Sequence, residues 1–220
     1  MVTVPEPAPV PVPPIGEIDP IAYEVPSSTR WYRVYSIASG RSAVDFNPGS
    51  ASAKPTRFAF FEDDKSVNVP VLYAAQTEVS AVCESILHDV PASGGNVQHA
   101  SYIRAAIGAF TTRRPLTLAN FMGTGLRRLR LEHGQLTSTD SRHHGITVQW
   151  ARAAHRAGFD GLIWMSHRCN TDQAIVLFGD RVRSGDLSLD PGYARIFSNP
   201  TDRDWLVDMC TPLHVEVVTR

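Results

Sequence analysis

From residue 31 to 37 (WYRVYSI) apolar and polar positions alternate and aromatics recur, the pattern of a half-buried strand. Two more short apolar runs, TRFAFF over 56–61 and PVLYAAQ over 70–76, predict a second and a third strand. Gly40, Asn47, Pro48 and Gly49 mark a loop between the first two. The period then changes. Val79, Val82, Cys83, Ile86 and Leu87 share one helical face, which predicts a helix over 78–90 with Thr77 as its N-cap. PASGGNV (91–97) reads as a loop, 102–110 as a weakly patterned helix and 116–121 as a strand. Ile146, Trp150, Ala153, Ala154 and Ala157 form one stripe, so 146–157 predicts a helix that Gly158 ends. GLIWMS (161–166) and AIVLFG (174–179) predict strands joined by a polar turn, and LHVEVVT (213–219) a last strand. Strands grouped early and late, with helices between, predict an α+β fold rather than a doubly wound sheet.

The first residues break every such pattern. Eight of the 16 prolines lie at or before Pro26. Proline fixes φ and donates no hydrogen bond, so 1–28 predicts an extended, polyproline-like tail. It is expected to be a flexible leader, dispensable for activity, with a docked arm as the alternative. The folded part is expected over 29–220, one domain. With 43% hydrophobic and 20% charged residues, the 220-residue chain has the composition of a globular protein. A net charge of -1 excludes a strongly basic nucleic-acid coat. Cys83, Cys169 and Cys210 make an odd count without CxxC, which predicts free thiols in a reducing compartment. No run approaches the roughly 20 apolar residues of a membrane span, and no Lys or Arg precedes Arg30. The expectation is a cytoplasmic protein without membrane contact.

Phosphate-loop, dinucleotide-fingerprint, zincin and nucleophile-elbow motifs are missing. The pair His143-His144 lacks a third ligand at metal spacing; a solvated turn and no metal are expected. Arg127, Arg128 and Arg130 predict a charged helix face, since no aromatic interleaves to stack bases. Four positions draw attention together, with Ser166, by itself a turn residue, beside them. Arg33 lies mid-strand on the face of Trp31 and Tyr35. Arg57 opens the second strand, and Tyr73 sits among apolar residues of the third. Glu84 borders the apolar face of the next helix, where an ionised carboxylate needs a partner. Ser166 ends an apolar strand. A buried Arg33–Glu84 structural pair, with Tyr73 as core, is one reading of the first four.

In their order (Arg33, Arg57-Phe58, Leu72-Tyr73, Ala81 and Glu84, then GFDGLIWMS ending at Ser166) these residues resemble the RES-domain family, named for its Arg, Glu and Ser. The resemblance runs over about 31–178. It implies an α+β fold similar to ADP-ribosyltransferases, a split, mostly antiparallel sheet with flanking helices around an NAD-binding cleft. It implies the toxin half of a toxin–antitoxin pair, neutralised by a helix-turn-helix (Xre-like) antitoxin that covers the cleft. Members destroy NAD by hydrolysis or phosphorolysis, and at least one modifies a protein with ADP-ribose. Carried over, Glu84, Arg33, Tyr73 and Ser166 would be catalytic, and Arg33, Arg57, Tyr73 and Ser166 would contact NAD, with Arg41 the alternative to Arg57. NAD+ is then a substrate and no cofactor is needed; inorganic phosphate is a co-substrate if the reaction is phosphorolysis. The residue types suit it. Breaking the nicotinamide–ribose bond builds positive charge on the sugar, which glycosidases meet with carboxylates. Arginine forks hold pyrophosphate or ribose. The rivals are a protein ADP-ribosyltransferase, a non-catalytic nucleotide- or partner-binding module that would bury an Arg33–Glu84 pair, and a nucleic-acid binder using Arg127, Arg128 and Arg130.

Overall fold

A computed structural model describes residues 10–49 and 55–220. The first nine residues of the leader lie outside the described residues. Ten strands and six helices follow in the order β1 (Ala22–Val25), β2 (Arg30–Ser36), β3 (Val71–Ala75), α1 (Glu78–Cys83), β4 (Gly95–Val97), α2 (His99–Tyr102), β5 (Ala105–Thr112), β6 (Leu116–Asn120), α3 (Thr124–Arg128), α4 (His133–Leu136), α5 (His144–Arg156), β7 (Gly161–Met165), β8 (Gln173–Phe178), β9 (Leu187–Ile196), α6 (Pro200–Cys210) and β10 (Val215–Val217). Eight strands form one sheet in the order β1-β6-β7-β8-β3-β2-β5-β9, antiparallel except for β6 beside β7. β10 and β4 make a separate parallel pair. The α+β expectation holds. β2 and β3 join through a single registered pair, Tyr32 with Ala75. The sheet is therefore split there, and α1 leaves β3 beside the split.

Side-chain alternation builds a core on each face. In β8, Ala174, Val176 and Phe178 pack with Trp150, Ala151 and Ala154 of α5. Ile175 and Leu177 point the other way, to Trp31, Leu72 and Phe110. Such strands, apolar on both faces, read as unbroken runs, which is why β7 and β8 stand out in the sequence. A third cluster sets Val82 and Cys83 of α1 against Ile107, Phe197, Leu206 and Cys210. All three cysteines are free. No helix of the described residues is long and apolar enough to cross a membrane.

The structure corrects several expectations. Residues 105–112 form an inner strand, not a helix. Alanine favours helices in isolation, but here β2 and β9 flank the segment and need small residues, as at Gly108, where a methyl would strike Ala43. TRFAFF forms only a bridge between Thr56 and Ala59. The helix begins at Glu78 with Thr77 and Ser80 as a capping box, but stops at Cys83. There Ser85 Oγ bonds back to the Ala81 carbonyl, a local bond that competes with the helix ladder. Residues 95–97 are strand β4, not loop. β9 shifts register around Asp190-Pro191-Gly192, an irregularity that an edge strand tolerates, and α6 starts at an Asn199 cap with Pro200 in its first turn. Neither is among the elements expected. The tail is also more than a tail: β1 pairs with β6 from Ala22–Ala119 to Val25–Leu116, and Val10, Ile18 and Val25 are buried. Proline is excluded from central strands only, and β1 is an edge strand with no proline in it.

At Gly161 of β7 an added methyl would run into the Val176 carbonyl of β8. Gly161→Ala should cost about 1–3 kcal/mol as an overpacked core site, lowering Tm by roughly 2–12 °C. Gly145→Ala, in the exposed first turn of α5 with nothing within 4 Å, should hold or raise Tm by the ordinary helix preference. Thermal melts of the two variants check this.

Candidate active site

Glu84 is the C-cap residue of α1 (φ -82, ψ -2), so the helix end sets its side chain at the split in the sheet. Its Oε1 accepts the Ser166 hydroxyl at 2.6 Å and the His167 backbone N–H at 2.9 Å. Oε2 has no protein partner among the described residues. Ser166 follows β7 directly and is fully buried. Its Oγ also accepts the Cys169 N–H at 3.1 Å, so it joins Glu84 to the turn over 166–172. Asp172, at the end of that turn, accepts the Thr77 hydroxyl, tying the turn to the other end of α1. Glu84 is thus held by a frame anchored at both ends of its own helix.

Tyr73 projects from β3. Its hydroxyl accepts the Phe58 N–H at 3.0 Å and bonds Thr56 Oγ1 at 2.9 Å. Burial pushes the phenol up to about 12, so it stays neutral at physiological pH. Its ring meets Trp164 edge-on, 6.1 Å between centroids. Arg57 is buried; its Nη1 donates to the Thr139 carbonyl at 3.1 Å and to Thr139 Oγ1 at 2.9 Å. Burial lowers its pKa, and nearby Glu84 opposes that shift. Arg57 and Glu84 both line a cleft with two adjoining lobes. One lobe, of about 590 Å³, adds Tyr73, His88, His144 and Trp164; the other, of about 360 Å³, adds Thr139, His167 and Arg168.

Arg33 does not join them. The register of Tyr32 with Ala75 puts Tyr32 and Tyr73 on one face of the sheet, and Arg33 falls on the other with Trp31 and Tyr35. With Tyr73 and Glu84 it lines a small cavity of about 40 Å³ at the split, but its guanidinium donates to the carbonyls of Ala43 at 3.3 Å and Asp45 at 2.5 Å. Burial lowers its pKa to about 10. Arg33 therefore braces the loop after β2 and does not face Glu84, which also corrects the expectation of an Arg33–Glu84 pair. Arg41 stands beside Arg33 and Asp45, outside the lining of both lobes, so of Arg41 and Arg57 it is Arg57 that lines the cleft.

His144 overturns the solvated turn. It is buried at the start of α5, with Nδ1 3.3 Å from the Pro55 carbonyl and its ring 6.1 Å from His88. Extending the stripe of α5 one turn back, through Thr147, would have placed it on the buried face. Thr139 and His167 carry no sequence signal; His167 enters through its backbone N–H and Thr139 through its carbonyl and its hydroxyl. Burial lowers the pKa of both His144 and His167. The unfolded chain then binds protons first as pH falls below the ordinary histidine value near 6.5, so stability should decline from pH 7 to 5. Denaturation midpoints at the two pH values should show it, and His144→Asn should flatten the slope.

The Tyr73 hydroxyl is committed to the wall of the cleft. Tyr73→Phe strands the Phe58 N–H, which should cost about 1–3 kcal/mol of stability while turnover persists; melts and rates measured side by side check this.

Comparison with known proteins gives two findings. The family model described as RES domain matches residues 30–201. Among solved structures, the chain is similar to a chain of the crystal structure of the M. tuberculosis MbcT–MbcA toxin–antitoxin complex, with a TM-score of 0.58 and 14% identity over 82% of this chain and 90% of that one. At that identity the likeness shows the fold. Comparison with curated proteins gives no match.

Proposed function

This chain belongs to the RES-domain family, and on that premise we propose that it consumes NAD at the Glu84 cleft by breaking the nicotinamide–ribose bond, as the toxin of a toxin–antitoxin pair. The observation that carries the reading is the hold on Glu84. Two donors fix Oε1, Oε2 is left without a protein partner among the described residues, and Arg57 lies close by. That is a preorganised carboxylate aimed at a developing positive charge.

In the step proposed, the C1′–N bond of the nicotinamide ribose breaks and its electron pair leaves with neutral nicotinamide. The sugar passes through an oxocarbenium-like state, which the Glu84 carboxylate opposes while its free oxygen orients a ribose hydroxyl. Ser166, whose proton is committed to Glu84, positions the carboxylate. The Arg57 groups not spent on Thr139 offer a charge-assisted fork to phosphate or ribose. Tyr73, with its hydroxyl engaged, offers a ring face for nicotinamide. Water then adds to give ADP-ribose, or inorganic phosphate adds to give its 1-phosphate. NAD is spent, not recycled. The partner proposed is an antitoxin, of the helix-turn-helix class that the family resemblance implies, covering the cleft; the solved relative is itself a toxin–antitoxin complex.

The acceptor is tested by product masses from NAD, with and without phosphate. ADP-ribose in both conditions means hydrolysis, and ADP-ribose 1-phosphate formed only with phosphate means phosphorolysis. The mass of ADP-ribose added to a protein, with nicotinamide freed but no free ADP-ribose or its 1-phosphate, would replace both with transfer. The binding-module reading expects a buried Arg33–Glu84 pair and a closed cleft; among the described residues Glu84 is bonded to Ser166 and the cleft is open.

A further inference from the structure

A further cavity, of about 730 Å³, lies next to the cleft and takes no part in holding Glu84. Its volume is within the roughly 300–1,000 Å³ of small-molecule sites. The floor is apolar: Phe121, Leu126 and Leu131 are buried. Arg127 and Arg130 stand at its wall, exposed, and neither forms an ion pair among the described residues. Glu132 lines it too, so the arginines outnumber the acid two to one. Arg128, between them in sequence, is turned away and paired with Asp19. An apolar floor with two free guanidiniums suits a flat ring joined to phosphate.

The same two chain segments line the cavity and the cleft. Thr137 lines the cavity, while the next two residues, Ser138 and Thr139, line the cleft. Met165 and Asn170 line the cavity, while His167 and Arg168 between them line the cleft. Consecutive Cα atoms are about 3.8 Å apart, so the cavity and the cleft lie within the span of one dinucleotide. We propose that the cavity receives the adenosine-diphosphate half of the dinucleotide, with adenine on the apolar floor and the pyrophosphate between Arg127, Arg130 and Arg57. The proposal rests on the reading that NAD is the substrate. It gives Arg127 and Arg130 a specific role in substrate affinity.

The test is calorimetric titration of the full chain with ADP, which carries no nicotinamide and cannot be turned over. Wild type and Glu84→Gln should both bind. The Arg127→Ala, Arg130→Ala double variant should bind at least about tenfold more weakly, as expected for lost charge-assisted bonds. Arg128→Ala should bind as wild type does. For NAD, the double variant should show a raised KM at little-changed kcat. The three arginines are exposed, and melts check that the variants stay folded. ADP bound equally by the double variant and wild type, or not bound by wild type, overturns the proposal even if NAD is cleaved. Absence of NAD cleavage in a protein that binds ADP through these arginines overturns the NAD-cleaving reading instead.

Discussion

Glu84→Gln should abolish NAD cleavage, by about 10²–10³-fold in kcat or more, and leave the protein folded. Glutamine keeps a carbonyl oxygen where Oε1 accepts Ser166 and His167, so the frame that joins α1 to the turn after β7 survives. What disappears is the negative charge. Removing one preorganised group that meets charge in the transition state costs factors of that size. Ser166→Ala should cost less, about 10–100-fold, because it removes one donor to a carboxylate that keeps its charge and its backbone N–H. Rates with saturating NAD, beside thermal melts, separate the two. A Glu84→Gln protein as active as its parent would remove Glu84 from the chemistry.

Deleting residues 1–28 should collapse the fold. Val10, Ile18 and Val25 are 8%, 6% and 1% exposed, and burying such side chains contributes about 1.5–3 kcal/mol each. The Trp150 indole N–H donates to the Pro11 carbonyl at 2.8 Å, and leaving it unpaired costs about 1–3 kcal/mol more. The Pro26 carbonyl accepts the hydroxyls of Thr29 and Thr112. β1 also covers the edge of β6, whose exposed backbone would invite aggregation. The loss is comparable with the roughly 5–15 kcal/mol that a whole domain holds. The truncated chain should be insoluble or melt more than about 10 °C lower. A truncated chain that melts within a few degrees of the parent would show that the segment is ornament, as its proline content suggests at first reading.

The contrast between leader and centre shows what sequence pattern carries. β3, β7 and β8 are legible because strands buried on both faces must be apolar throughout. β5 is equally buried, yet its alanines and Gly108 answer to the crowding of β2 and β9, which no local pattern reveals. The site divides in the same way. Tyr73, Glu84 and Ser166 sit at the ends and faces of legible elements and do meet, and Arg57 joins them from an irregular segment. Arg33 was placed on the face of Trp31 and Tyr35 by alternation alone. Only the pairing of Tyr32 with Ala75 shows that Tyr73 lies on the opposite face. His144 was hidden because its partner, the Pro55 carbonyl, comes from 89 positions away.

The most direct measurement is release of free nicotinamide from NAD by the purified full chain without any antitoxin, over many turnovers. Sustained release that stops in Glu84→Gln is the predicted result. NAD left intact by folded wild-type protein, with and without phosphate, would contradict it.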